Sequence, residues 1–411
     1  MPQIFQTIPQ RREPRRFSRV VLRGLLLFTA LIAGVYIGSN PNTPVVGGLK
    51  DIVSPDKTEI STEQVEELIN NEFYRRVDET KLTNGSIKGM VESLKDPYSH
   101  YFDREQNKQF AQAISGRYGG IGTAVNPNKR GLEVAVVYEK SPADEAGIRP
   151  DDLITEVNGK SIAGESADTA VAKIKGPDGT KVKVTVQSPI EGTKKYGRPR
   201  ELTLERRQID LPVATGELVR REGRKVGVIE LTSFTENSGA AVAAQIVKLE
   251  KHGADSYVLD LRGNGGGRLD QAVAVTSLFV PKGLIVSTDG RARPRQNYNA
   301  VKGTTLTADP LVVVVDKSSA SASEITAGSL KYRDRALVIG TRTYGKGVFQ
   351  EVTELKNGGA VSLTVGQYVL PGNHPITKSG LAPDLKVEDD DKTRRDEVLD
   401  AAYQALAEFK K

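Results

Sequence analysis

LVVVVDKSSASASEITAGSLKYRDRALVIGTRTYGKGVFQ, residues 311–350, sets the reading of the whole chain. Leu311 to Val315 is an unbroken, β-branched apolar run, which suits a strand covered on both faces. Small hydroxyl residues follow from Ser318 to Ser323. Glu324, Ile325, Ala327, Leu330 and Arg333 then recur at helical spacing. Ala336 to Gly340 reads as a second strand, and another starts at Val348 after Gly345-Lys346-Gly347. A serine hydroxyl needs a neighbouring base to become a nucleophile, and a lysine neutralised by burial can be that base. Such Ser-Lys pairs are a variant of the serine-protease arrangement. At the start of the helix the unpaired N–H of Ala322 could stabilise an oxyanion. The competing reading is that Ser321 or Ser319 merely caps the helix.

Gly340, Gly345 and Lys346 also match the opening of a P-loop. That motif requires Ser or Thr next, where Gly347 stands, and then a helix. Val348 to Thr353 alternates like a strand instead, so the P-loop reading is set aside.

Ser321-Ala322-Ser323-Glu324, Lys346 and Gln350, at these spacings, resemble the carboxyl-terminal processing (tail-specific) serine peptidases. The resemblance implies that Ser321 is the nucleophile, Lys346 the general base and Gln350 the residue that orients the lysine amine. Many members carry an Asp soon after the serine helix; Tyr332 stands there in this chain, with Asp334 close by. Asp260 to Gly267, DLRGNGGG, matches the family's Asp-Leu-Arg-x-Asn-glycine run. That match implies an oxyanion amide from Gly266 or Gly267, partnered by Ala322.

Composition bounds the rest. The 411 residues suit two or three domains, and a hydrophobic fraction of 38% suffices for packed cores. There is no cysteine, which excludes disulfides and thiolate metal sites. His100, His252 and His374 show no ligand spacing, so no metal site is expected. The resemblance implies no cofactor either. The net charge of +6 is concentrated in residues 1–23, where six arginines face one acid, Glu13. The remainder is near neutral, so a nucleic-acid partner is not indicated.

Those arginines precede an uncharged apolar run, Gly24 to Gly38. With Val20 to Leu22 it approaches the length of a membrane span, interrupted by Arg23. The charge order predicts a cytoplasmic N-terminus and an exported remainder. An uncleaved plasma-membrane anchor is favoured over a cleaved signal and secretion, because no clear A-x-A site follows. Residues 39–58 read as a linker. Residues 59–115 read as a helical region: a capping box at Ser61 to Gln64, a helix from about Asn84 to Leu94, and one from Arg104 to Ser115. The segment Leu94 to Ser99 also resembles the family's N-terminal region, where it is structural.

Residues 116–209 resemble a PDZ domain, with the glycine loop Gly119-Gly120-Ile121-Gly122 before a strand and a groove helix over 167–175. Amides of such a loop can hold a terminal carboxylate, and a PDZ groove adds an extended chain end as a strand. The expected partners are therefore protein substrates with free, apolar C-termini, along with the plasma membrane; a homo-oligomer is left open. Residues 210–388 form the expected peptidase core. Its helix Ser238 to Lys251 and strands Val226 to Phe234 and Ser256 to Leu261 alternate as in an α/β fold. Residues 389–411 carry a terminal helix. The resemblance spans about residues 60–405 and implies a crotonase-like α/β core with an inserted PDZ domain. It implies a serine endopeptidase cutting near protein C-termini. A PDZ adaptor with a degenerate core is the alternative.

Overall fold

The computed structural model describes residues 61–409 except 194 and 391. The basic N-terminus, the apolar run Gly24 to Gly38 and the linker 39–58 lie outside the described residues. Among the described residues no helix is long and apolar enough to cross a membrane. The chain divides into two compact units, with the second starting at Ile87.

In the first unit, helix Thr62–Glu72 begins at Ser61, whose amide bonds Gln64 Oε1 at 3.1 Å while its hydroxyl accepts from Gln64 N. The next helix, Glu79–Glu92, starts earlier than the expected Asn84. Asp78 explains the difference: its carboxylate accepts the Lys81 N–H at 3.2 Å, a capping signal upstream of the apolar pattern.

In the second unit, the central sheet has six strands in the order 214–221, 224–231, 256–260, 311–315, 337–340 and 385–386. The first pair is antiparallel and all later neighbours are parallel. Alternation along the strands sends side chains to two separate cores. Val226, Val258, Val312, Val314 and Ile339 pack on Val398, Ala402 and Leu406 of the terminal helix Glu397–Glu408. Ile229, Leu259, Val313 and Val338 pack on the opposite side with Val242 and Ile246 of helix Ser238–Lys251 and Ile325 of helix Ala322–Lys331. Both faces of Leu311–Val315 are therefore covered, which is why that strand carries no polar residue. In parallel sheets, sites form beyond the carboxyl ends of the strands. Beyond strands 256–260, 311–315 and 337–340 come, respectively, the glycine loop, the serines and the lysine loop.

A second sheet is built around the long strand Ala360–Leu370, flanked by 100–102, 348–354 and 284–290. The PDZ region has its own sheet in the order 123–128, 131–137, 153–157, 181–187 and 200–205. The last of these strands, Arg200–Glu205, ends at Arg206. That buried guanidinium turns inward to the carbonyls of Ile174, Lys181 and Lys173. The chain then continues as Arg207–Asp210, paired with Arg117–Gly120. Gly119 and Gly120 are thus strand residues, and only Ile121-Gly122 remains as a loop. Gly119 also accepts the Gly176 N–H, and a side chain there would lie 2.0 Å from Gly176 O.

Candidate active site

The serine-rich loop is locked to the glycine loop by its own hydroxyls. Ser319 Oγ donates to Leu261 O at 2.8 Å, and Ser323 Oγ donates to Asn264 O at 2.8 Å. Ala320 N also donates to Asn264 O. Ser321 sits between them at the N-cap position of helix Ala322–Lys331, with φ 54 and ψ −113. For a residue with a Cβ this backbone costs about 1–3 kcal/mol and needs firm neighbours to hold it. Cap and nucleophile therefore do not compete as readings of Ser321, since the capping position itself presents the hydroxyl at the sheet's carboxyl edge. The buried Tyr368 hydroxyl has its pKa pushed up by burial, an effect that the neighbouring Ser321 side chain opposes. Tyr368 escaped the sequence reading, because nothing in Gln367-Tyr368-Val369 distinguishes it from an ordinary strand tyrosine.

Beside Ser321, Gly266 has φ +97, and a Cβ there would lie 2.8 Å from Ser321 Cβ and 2.9 Å from Ala322 N. Its own N–H is held by Asn264 Oδ1 at 2.9 Å. Gly267, with φ +143, has no such bond on its amide among the described residues, nor has Ala322. Asn264, fully buried, is anchored by Nδ2 to Leu231 O at 2.7 Å.

Lys346 is half-buried. Burial lowers its pKa from the ordinary lysine value, with Asp96 opposing. Gly345 has φ +92, and a Cβ on Gly347 would lie 2.2 Å from Thr377 N, so the loop requires both glycines. The Lys346 ammonium lies 5.2 Å from the centre of the Tyr98 ring. Among the described residues no hydrogen bond joins Lys346 Nζ to Ser321 or Gln350. The Gln350 amide nitrogen donates to Thr364 Oγ1 at 3.2 Å instead. Tyr98, read from sequence as structural, thus stands against the lysine. Burial raises its pKa, as does its hydrogen bond with Tyr344. It is placed there by Ser99, whose hydroxyl donates to Asp96 and accepts the Thr364 N–H.

Asp334 does not join this group. It is exposed in the turn after the serine helix, with φ 52. Tyr332 stacks on His374 with ring centroids 3.8 Å apart. His252 Nδ1 pairs with Lys248 O, and His100 lies in the strand beside Ser362. No metal-binding cluster occurs among the described residues.

The PDZ region holds a cavity of about 250 Å³ lined by Tyr118, Ile121, Thr123, Val125, Val171 and Ile174. Lys175 Nζ lies 5.0 Å from the Tyr118 ring centre at its edge.

Three family models match the chain: Peptidase family S41 over residues 225–387, PDZ domain over 133–188, and Activating protease CtpB N-terminal domain over 52–106. Carboxy-terminal processing protease CtpA of Bacillus subtilis (strain 168) is 35% identical over 365 residues, covering 89% of this chain and 76% of that protein. The chain belongs to the carboxy-terminal processing serine peptidases of family S41. Carboxy-terminal processing protease CtpB of the same bacterium is 34% identical over 388 residues, covering 92% of this chain and 78% of that one. Among solved structures, an S41 protease from Bacteroides fragilis aligns with a TM-score of 0.51 at 18% identity, over 84% of this chain and 97% of that one. That likeness concerns the fold. The S41 match contains the glycine loop, Ser321, Lys346 and Gln350, whereas Tyr98 lies in the CtpB-type N-terminal match.

Proposed function

We propose that this peptidase cuts protein substrates near their C-termini through a Ser321–Lys346 dyad, and that its PDZ groove selects the substrate's tail. The observation that carries the reading is the pairing of a strained, buried Ser321 with a desolvated Lys346 on adjoining loops. Neutral Lys346 takes the Ser321 proton as the hydroxyl attacks the peptide carbonyl, and returns it to the leaving amine. An acyl-enzyme forms, and water then releases it. To act, the amine leaves the Tyr98 ring and turns toward Ser321, with Gln350 orienting it. The Ala322 and Gly267 amides hold the oxyanion. Gly266, whose amide is held by Asn264, lets the loop approach the nucleophile closely.

For tail selection, Ile121 and Gly122 present the carboxylate-binding turn and the lined cavity takes the apolar terminal side chain. Comparing one apolar-tailed peptide as free acid and as C-terminal amide tests this. Losing a charge-assisted contact lowers kcat/KM about tenfold or more for the amide. Gly120→Glu, whose Cβ would lie 2.6 Å from the Tyr118 ring, removes the preference without touching Ser321. Equal rates for both peptide forms with the wild-type enzyme would leave the groove without a role in reading tails.

The arginine cluster before Gly24 to Gly38 supports an anchored enzyme with its catalytic part outside the cytoplasm. A reporter fused after Lys411 that functions only outside the cytoplasm should be active. Activity of a cytoplasm-only reporter at that position would refute this topology.

A further inference from the structure

Glu324 is completely buried, carries a titratable carboxyl, and has no part in the proton transfers above. Its neighbours are unusual for a core carboxylate. Oε2 accepts the Ser321 N–H at 2.8 Å and the Lys346 N–H at 3.0 Å. Oε1 accepts the Gly345 N–H at 2.7 Å and the Thr343 hydroxyl at 2.5 Å. Thr343 Oγ1 itself accepts the Leu381 N–H, which leaves its proton for Glu324. Four donors therefore converge on the carboxylate, and three of them are backbone N–H groups that can only donate. Burial raises the Glu324 pKa above the ordinary carboxylate value, and the four bonds, which are complementary to the anion, oppose that rise.

The position of these donors matters more than their number. One oxygen bridges the amide of the nucleophile and the amide of the base. Ser321 must be held in a left-handed backbone, and Lys346 lies between Gly345 and Gly347, which have no side chains to anchor it. A core carboxylate with a purely packing role would not need to join these two loops.

We propose that Glu324 is a positioning residue that holds Ser321 and Lys346 in register for proton transfer, through their backbones and without touching substrate. This rests on the dyad reading of the site. It also explains why Ser321 N–H does not serve the oxyanion and Ala322 N–H does: the former is occupied.

The test uses the full chain with Glu324→Gln and Glu324→Asp, beside Lys346→Ala. Cleavage of a free-acid peptide gives kcat and KM, and fluorophosphonate labelling gives the number of competent serines per molecule. Glu324→Gln puts an amide N–H₂ against backbone donors and should lower kcat per labelled site about 100-fold, with KM changed less than about threefold. Glu324→Asp keeps the carboxyl group and should recover part of the loss. If Glu324→Gln does not fold, Thr343→Val removes one strut at Oε1; kcat per labelled site should then fall about tenfold and largely return in Thr343→Ser. A role in packing alone would reduce the melting temperature and the number of competent sites, but not turnover per site. Wild-type turnover per site in Glu324→Gln, or in Thr343→Val should that be the variant that folds, overturns the inference when Lys346→Ala is inactive. An active Lys346→Ala would overturn the dyad reading first, and this inference with it.

Discussion

Lys346→Ala is expected to fold, bind tails normally, and lose on the order of 10⁴-fold in kcat. Ser321→Ala should do the same, and the double variant should be no worse than either, since residues acting as one unit are not additive. The histidines are not placed to replace the proposed base. Each of the three histidines is engaged elsewhere: His374 on Tyr332, His252 on its own helix, and His100 in a strand. Replacing all three together should leave turnover within about threefold of wild type. A folded triple-histidine variant that is inactive, alongside an active Lys346→Ala, would discard the dyad.

The pH dependence follows from the same desolvation. If the proposed dyad operates, activity requires neutral Lys346, so kcat/KM should rise with pH through an ionisation lying below the ordinary 10.5. Asp96 favours the ammonium, so Asp96→Asn should shift that limb to lower pH. Stability runs in the same direction. Below the folded-state pKa the fold carries a desolvated ammonium, and between that value and the unfolded one the unfolded chain binds more protons. Stability therefore rises with pH across this window, and the rise should vanish in Lys346→Ala. That instability would lie at the proposed general base.

What the sequence reveals, and what it hides, depends on whether a signal is local. Strand Leu311–Val315 is legible because both of its faces are buried, and helix Ser238–Lys251 because its apolar face repeats at helical spacing. Strand Arg293–Asn299 is not, because as a sheet edge it is polar throughout and shows no alternation. Helix Leu269–Ser277 was hidden by the glycines ahead of it and by a short, nearly all-apolar pattern. In the site, Ser321, Lys346 and the glycine loop follow from motif and chemistry. Tyr98 does not, since its approach to Lys346 is set by the pairing of strand 100–102 with strand 360–370. Glu324 was legible as part of the helical pattern and of the Ser-Ala-Ser-Glu motif but not as a bridge, because its second set of partners lies a strand and a turn further on. The expected Gln350 contact with the lysine amine is not formed in this conformation, where the Gln350 amide is held by Thr364.

Gly266→Ala should be nearly as damaging as loss of the dyad, through geometry rather than chemistry. Gly266 has φ +97, a backbone that a residue with a Cβ adopts only under strain. The added methyl would lie 2.6 Å from Ala320 O, 2.8 Å from Ser321 Cβ and 2.9 Å from Ala322 N. Two of those atoms are backbone, so no side-chain rotation relieves the contact. The loop must withdraw, and it is tethered: Asn264 holds the Gly266 amide while its other end is anchored to Leu231 O. Withdrawal therefore moves the Gly267 amide away from the proposed oxyanion position and also presses on the nucleophile's own turn. Loss of one oxyanion donor alone costs about 10²–10³-fold in kcat. Gly265→Ala is the control, since its Cβ meets nothing within 4 Å and its backbone is not left-handed. It should retain activity within about threefold. The two variants differ by one position on the same turn, so a general loosening of the loop would affect both. If Gly266→Ala folds and cleaves peptide as fast as Gly265→Ala, the glycine loop does not approach the reacting carbonyl, and the oxyanion must be held from elsewhere.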